Sequence, residues 1–172
     1  AMLYTAASVQ GSLQALRSVN TVTHFTHYTV AHAHLGLYGF FSMVMFGAIY
    51  FIMPRVMKWE WPYPWMISVH FWLVVGGFAV YFIGLSFGGW YQGLAMLDKD
   101  IPFMDSVTLT IPYLQARSVG GALMTLGHLV FALHFFMMGW KFGPRRLGAA
   151  LLASPGPAST MAQPATARGA TA

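Results

Sequence analysis

Four of the seven histidines of this 172-residue chain stand within eleven residues, in the stretch Thr23-His24-Phe25-Thr26-His27-Tyr28-Thr29-Val30-Ala31-His32-Ala33-His34-Leu35-Gly36. An imidazole can bind a metal through one ring nitrogen, shuttle a proton, or hold an anionic group by hydrogen bonding. The pair His32 and His34 narrows the choice. Side chains two apart on an α-helix are rotated by about 200°, so these two rings leave nearly opposite sides of one helix. They cannot clamp a single metal ion between them. They can serve two cofactors, one on either side of the helix.

The element that must carry this pair is a membrane span. From Tyr28 to Met53 there is no Asp, Glu, Lys or Arg. At about 1.5 Å per residue, such a run in a helix crosses the roughly 30 Å hydrocarbon core. Ionisable side chains at that depth are costly, so they face the protein interior and mark a site. The whole composition agrees: 8% of residues are charged, against about a quarter in soluble domains. The net charge of +5 does not imply nucleic acid. Arg55, Lys58, Lys141, Arg145 and Arg146 sit at the ends of apolar segments, as in membrane proteins, and form no aromatic-interleaved basic face. With no cysteine, disulfides, Cys-ligated zinc and iron–sulfur clusters are excluded, and histidine is the strong nitrogen ligand left.

In chain order, Ala1 to Val9 is a short apolar stub, expected to be the end of a helix that begins upstream. Gln10 to Asn20 is a more polar connection. The His-bearing span follows and is expected to stop at Pro54, where a missing N–H and a ring clash end a helix. Arg55 to Pro64 reads as a polar turn whose Trp59, Trp61 and Tyr63, with the adjoining Trp65, form an aromatic belt at a membrane surface. A second span runs from Trp65 to about Met96. Its glycines (Gly76, Gly77, Gly84, Gly88, Gly89) are suited to close helix approach. Leu97 to Pro112 is an acidic loop with Asp98, Asp100 and Asp105, and a third span runs from about Tyr113 to Trp140. The fold class is therefore all-α: a polytopic transmembrane helix bundle of three full spans plus an N-terminal helix stub. Residues 1–148 form its transmembrane part, and 149–172, dominated from Ala153 by Ala, Pro, Ser, Thr and Gly, a disordered tail.

Loop charge orients this bundle. The turn after the first span and the segment after the third are basic, and the loop between the second and third is acidic. By the positive-inside rule the Pro54–Pro64 turn and the C-terminus are cytoplasmic. His32 and His34 then lie roughly 6 and 9 Å along the span from Tyr28, towards the outer face.

The pattern Ser18-Val19-Asn20-Thr21-Val22-Thr23-His24-Phe25-Thr26-His27-Tyr28-Thr29-Val30-Ala31-His32-Ala33-His34, followed by Tyr50-Phe51-Ile52-Met53-Pro54-Arg55, resembles the haem-carrying helix of subunit I of haem–copper oxidases. Within that superfamily it resembles the cbb3-type cytochrome c oxidases. His70-Phe71-Trp72, Gly89-Trp90-Tyr91-Gln92-Gly93-Leu94, Pro112-Tyr113 and Arg117-Ser118-Val119-Gly120-Gly121 continue the resemblance in the family's order. It covers about Gly11 to Gly139 and corresponds to the family's last three helices, so the chain is expected to be a C-terminal fragment. The resemblance implies that His32 is the axial ligand of a high-spin haem b and His34 a ligand of a low-spin haem b. It further implies a bacterial inner-membrane enzyme that takes electrons from the cytochrome c subunits of its complex and from soluble cytochrome c, reduces oxygen to water, and translocates protons. The copper ligands of that family lie upstream of this stretch.

Other readings stay open beside it. Ala31-His32-Ala33-His34-Leu35, with Tyr38-Gly39, is also close to nitric oxide reductase large subunits, so nitric oxide is the alternative substrate. From another class, a metal-ion transporter could use His24, His27, His32 and His34 as a relay of ligands. Such a path favours one helix face and an intramembrane carboxylate, whereas every Asp and Glu here falls in a loop. A dihaem electron carrier would show two histidines about four turns apart on one helix, a spacing no span has. His24, His27 and Arg117 are candidate contacts for haem propionates, with interfacial solvation or snorkelling as the competing role. His70, His128 and His134 read as packed structural histidines, and the twelve methionines as helix-interface filling.

Overall fold

The computed structural model of the chain describes residues 2–145. The expected tail, 149–172, lies outside the described residues, as does Arg146. Seven α-helices and one π-helical segment make up the described residues, with no strand among them. They are α1 (Met2–Gln14), α2 (Arg17–Thr23), α3 (His27–His34), the π segment Leu35–Ser42, α4 (Met43–Met57), α5 (Trp65–Leu97), α6 (Phe103–Thr108) and α7 (Ile111–Gly139). Three helical stretches are long and apolar enough to cross a membrane: His27–Met57, Trp65–Leu97 and Phe103–Gly139, the last made of α6 and α7.

Helix α5 is central, packed along α7 on one side and along α3 on another. Small residues make this possible. A Cβ on Gly77 would stand 2.7 Å from the Gly120 carbonyl and 2.9 Å from the Met124 amide, so α5 and α7 meet backbone to backbone. A Cβ on Gly89 or Gly93 would collide with the backbone of Tyr28 or Val22, which seats the start of the His-bearing span against α5. Helix α4 stands further from α5, and aromatic rings of Phe46 and Tyr50 fill the space up to His70.

Four local expectations are corrected. The expected helix stub is present as α1, but the stretch expected to be a polar connection is helical too, in the end of α1 and in α2, with a break only at Ala15 and Leu16. The first span does not stop at Pro54 but runs on to Met57, closed by Lys58 in the left-handed region at φ 56°. Pro54 removes the amide that would have bonded the Tyr50 carbonyl, and the Trp61 indole N–H donates to that carbonyl instead, at 2.8 Å. Trp61 is accordingly buried, folded inward instead of joining a surface belt, while Tyr63 and Trp65 are exposed. Finally, the acidic loop contains its own helix, α6.

The π segment is the remaining surprise. It begins at the residue after His34 and spans eight residues, longer than the single-turn bulges in which π geometry is usual. Gly39 lies under Phe78 of α5, where a Cβ would come 2.7 Å from the ring. Ser42 Oγ donates five residues back to the Leu37 carbonyl at 3.1 Å, adding a bond of π-helical reach.

Candidate functional site

The start of α3 is fixed from several directions. Thr26 is its N-cap and accepts from the Tyr28 amide at 3.2 Å. The hydroxyls of Thr26 and Thr29 donate to the Thr23 carbonyl at 2.8 and 2.9 Å. The His27 amide donates to Gln92 Oε1 of α5 at 3.1 Å, across 65 residues of sequence. A helix held this firmly at its first turn sets the direction of the rings that follow.

His32 and His34 go different ways. His32 turns towards α1, with Nδ1 3.3 Å from Gln10 Oε1. It borders an open groove of about 520 Å³ lined by Tyr4, Ala7, Ser8, Gly11, Ser12, Gly36 and Phe40. His34 turns towards α5, with Nε2 3.2 Å from the Tyr81 hydroxyl and ring centroids 5.1 Å apart. One helix thus presents one imidazole to each of two neighbours.

The protonation pattern suits an axial ligand. His34 Nδ1 lies 2.8 Å from the Val30 carbonyl, an acceptor that cannot donate, so the proton sits on Nδ1. That leaves the Nε2 lone pair to receive the Tyr81 hydroxyl or an iron, in the way metal-bound histidines are held through their other nitrogen. Gln10 Oε1 plays the same part for His32. The surroundings of His32 are tighter, since α1 lies over the ring and a Cβ on Gly11 would be 3.3 Å from Nε2. The donor chemistry of both rings fits haem ligation, and the room beside His32 is the open groove walled by α1 on one side and by Gly36 and Phe40 on the other.

The other sequence candidates divide. His27 and Arg117 are both half-buried, and the Arg117 charge acts on the His27 ring, so α3 and α7 bring these two within electrostatic reach. His24 stays outside at the α2–α3 junction, exposed, its ring 4.0 Å from that of Phe25.

A second cluster was not apparent as a unit in the sequence. Between α4, α5 and α7 the Tyr38 hydroxyl lies 2.7 Å from His128 Nε2, and the Tyr50 hydroxyl 3.1 Å from His70 Nδ1. His134 Nε2 donates to the Pro62 carbonyl. Each of these three histidines is hydrogen-bonded, as the structural reading expected, yet each keeps one buried ring nitrogen without a partner. The available signal was their position at membrane depth, the same argument that singled out His32 and His34.

Residues 1–123 match the family described as cytochrome c and quinol oxidase polypeptide I. The chain is 31% identical over 140 residues to cytochrome c oxidase subunit 1 of Rhodobacter capsulatus, covering 77% of the chain and 26% of that relative. It is 32% identical over 136 residues to the Cbb3-type cytochrome c oxidase subunit CcoN1 of Stutzerimonas stutzeri, covering 75% of the chain and 29% of the relative. A nitric oxide reductase subunit of Stutzerimonas stutzeri is more distant, at 25% over 144 residues. The chain thus spans between a quarter and a third of the length of these relatives. With the family match running through the His-bearing span, all of α5 and the first half of α7, the chain belongs to the subunit I family of haem–copper oxidases.

Proposed function

We propose that this chain is part of the catalytic subunit of a cbb3-type terminal oxidase, holding a low-spin haem b at His34 and a high-spin haem b at His32. The complete enzyme reduces oxygen to water with electrons from cytochrome c, in a bacterial inner membrane, and couples this to proton translocation. The observation that carries the reading is the opposed pair on one helix, each ring with Nδ1 tied to an oxygen acceptor. Haem iron, when bound, supplies electron transfer and, where one axial position stays open, the place at which oxygen is reduced. The part of this chain is to fix two ligand directions and to hold the nearby propionates, for which His27 and Arg117 are better placed than His24. A copper centre would take its ligands from outside this chain, and the cytochrome c subunits of the complex and soluble cytochrome c would be the electron donors. Nitric oxide reduction is the second reading, favoured by Ala31-His32-Ala33-His34 and by the match to a nitric oxide reductase.

The test uses the full-length subunit with its partner subunits. His34→Ala takes one of two axial ligands from a six-coordinate haem, so the low-spin spectrum should be lost. His32→Ala takes the protein ligand of a five-coordinate haem, so carbon monoxide binding should vanish while the low-spin spectrum persists. Loss of the same haem in both variants sinks the reading, and swapped losses reverse the assignment of rings to haems. Oxygen and nitric oxide consumption by the parent enzyme decide the substrate.

A further inference from the structure

One amide in α1 lacks the acceptor its chemistry demands. Nε2 of Gln14 is buried with no hydrogen-bond partner. A carboxamide NH2 only donates, so what is missing is an acceptor. The other buried orphans are ring nitrogens of His70, His128 and His134 and the hydroxyl of Ser86. They differ in kind, because each can accept as well as donate, by tautomer or by rotation. A donor buried without an acceptor has lost its water and gained no bond. The neighbouring elements supply no anion for it, since α1, α2 and α3 contain no Asp or Glu.

The position of Gln14 says what the acceptor belongs to. Gln14 follows Ala7 by seven residues and Gly11 by three, the spacing of one helix face. Ala7 and Gly11 line the groove beside His32. Helix α1 and the His-bearing span run antiparallel: the Tyr4 ring meets Phe40 at 4.9 Å, and Gln10 Oε1 lies 3.3 Å from His32 Nδ1. Gln14, one turn beyond Gln10, is therefore about 6 Å further along α1, at 1.5 Å per residue, and level with the first turn of α3. That is the end of the groove nearest the α2–α3 junction, where His27 also stands. A haem extends sideways from its iron, and its two propionates project from one rim as carboxylates. With the iron at His32, a rim turned towards the junction brings a carboxylate to the height of Gln14.

We propose that the Gln14 carboxamide donates a hydrogen bond to a propionate carboxylate of the haem held at His32. The inference rests on the haem reading above and adds a residue to it. Gln10 and Gln14, one turn apart on α1, then act on two parts of one cofactor: Gln10 through the ligand ring, Gln14 through the rim. No proton and no electron is transferred in this contact. Its effect is electrostatic. A donor on the propionate offsets negative charge at the haem rim, and hydrogen bonding of this kind tunes a haem potential from outside the axial ligands. Losing the donor leaves the rim more negative and favours the oxidised, more positive iron.

The experiment uses the full complex and two variants of nearly parental shape. Gln14→Met removes the donor, and Gln14→Glu replaces it with a carboxylate. In Gln14→Met the one-electron equilibrium of the carbon-monoxide-binding haem should move about threefold towards the oxidised form, near the low end of the net worth of a hydrogen bond. In Gln14→Glu it should move further the same way. With haem carrying isotope-labelled propionate carboxyls, the reduced-minus-oxidised infrared spectrum of Gln14→Met should show the labelled band displaced from its parental frequency. A labelled band that stays in place overturns the proposal whatever the potential does, because the donor then meets water or protein. A potential shift confined to the low-spin haem overturns it as well. So does loss of the carbon-monoxide-binding haem from both variants, since the side chain is then packing. Failure of the oxidase reading is a separate result: the parent complex itself would bind no carbon monoxide.

Discussion

At His34 a backbone carbonyl decides the chemistry of a side chain. Val30, one turn back, holds the Nδ1 proton and turns Nε2 towards α5. The opposed directions of His32 and His34 were legible from two residues' spacing, because helical rotation is a local property. What each ring meets was not: Gln10 is 22 residues from His32, and Tyr81 is 47 from His34. For the same reason His27 and Arg117, 90 positions apart in sequence, could be proposed separately but not as neighbours. Their proximity gives a prediction. With Arg117 close to a haem propionate, Arg117→Gln removes a positive charge that favours the reduced, less positive haem. The haem potential should fall on the order of 59 mV, a tenfold shift in a one-electron equilibrium. Arg117→Lys keeps the charge but loses the planar fork, so its shift should be smaller. Redox titration of both variants checks this, and unchanged potentials would leave Arg117 an interfacial anchor.

Among the elements, α5 and α7 were read within two residues of their ends. Long apolar runs bounded by Pro64 and by the acidic loop leave little choice. The extension of α1 to Gln14 and the whole of α2 escaped because short, weakly patterned helical segments owe their stability to packing and not to sequence propensity. Pro54 misled because a proline in a last turn is tolerated when another donor takes the freed carbonyl, here Trp61. The π segment gave no periodic signal, because the close approach of Gly39 to Phe78 and the Ser42 bond to the Leu37 carbonyl exist only in three dimensions. The glycines of α5 were expected to permit close approach, and Gly77 does, but its neighbour Gly76 has nothing within 4 Å. The pair makes a controlled test. Gly77→Ala drives a methyl into the backbone of Gly120 and Met124 and should destabilise by about 1–3 kcal/mol, the cost of overpacking. Gly76→Ala meets open space and should stabilise by about 0.5–1 kcal/mol, as alanine does against glycine in a helix. Thermal loss of haem absorbance in the complete enzyme should rank Gly76→Ala, parent, Gly77→Ala from most to least stable. Any other order would mean that α5 and α7 do not meet at Gly77.

For the molecule as a whole, two features bear on its orientation in the membrane, charge on the side and contact on which segments share an end. Charge is the first: Arg55 and Lys58 follow the first span, Lys141 and Arg145 follow the third, and Asp98, Asp100 and Asp105 lie between the second and third. Contact is the second. The Glu60 amide donates to the Pro144 carbonyl at 2.9 Å, and Trp59 pairs with Arg145 in an isolated antiparallel bridge. Both basic segments are therefore at one end of the bundle, and three spans in alternating directions require that arrangement. The acidic loop and the start of α3, with His24 and His27, occupy the other end. Because positive residues flanking short loops are retained in the cytoplasm, we propose that the turn carrying Glu60 faces inward and that His32 and His34 lie towards the outer face. A cytoplasm-active reporter fused after Arg146 should work, and a reporter active only in the periplasm should stay silent there but signal when inserted between Asp98 and Asp100. A periplasmic signal after Arg146 would reverse the bundle. The proposed haems would then lie near the inner face.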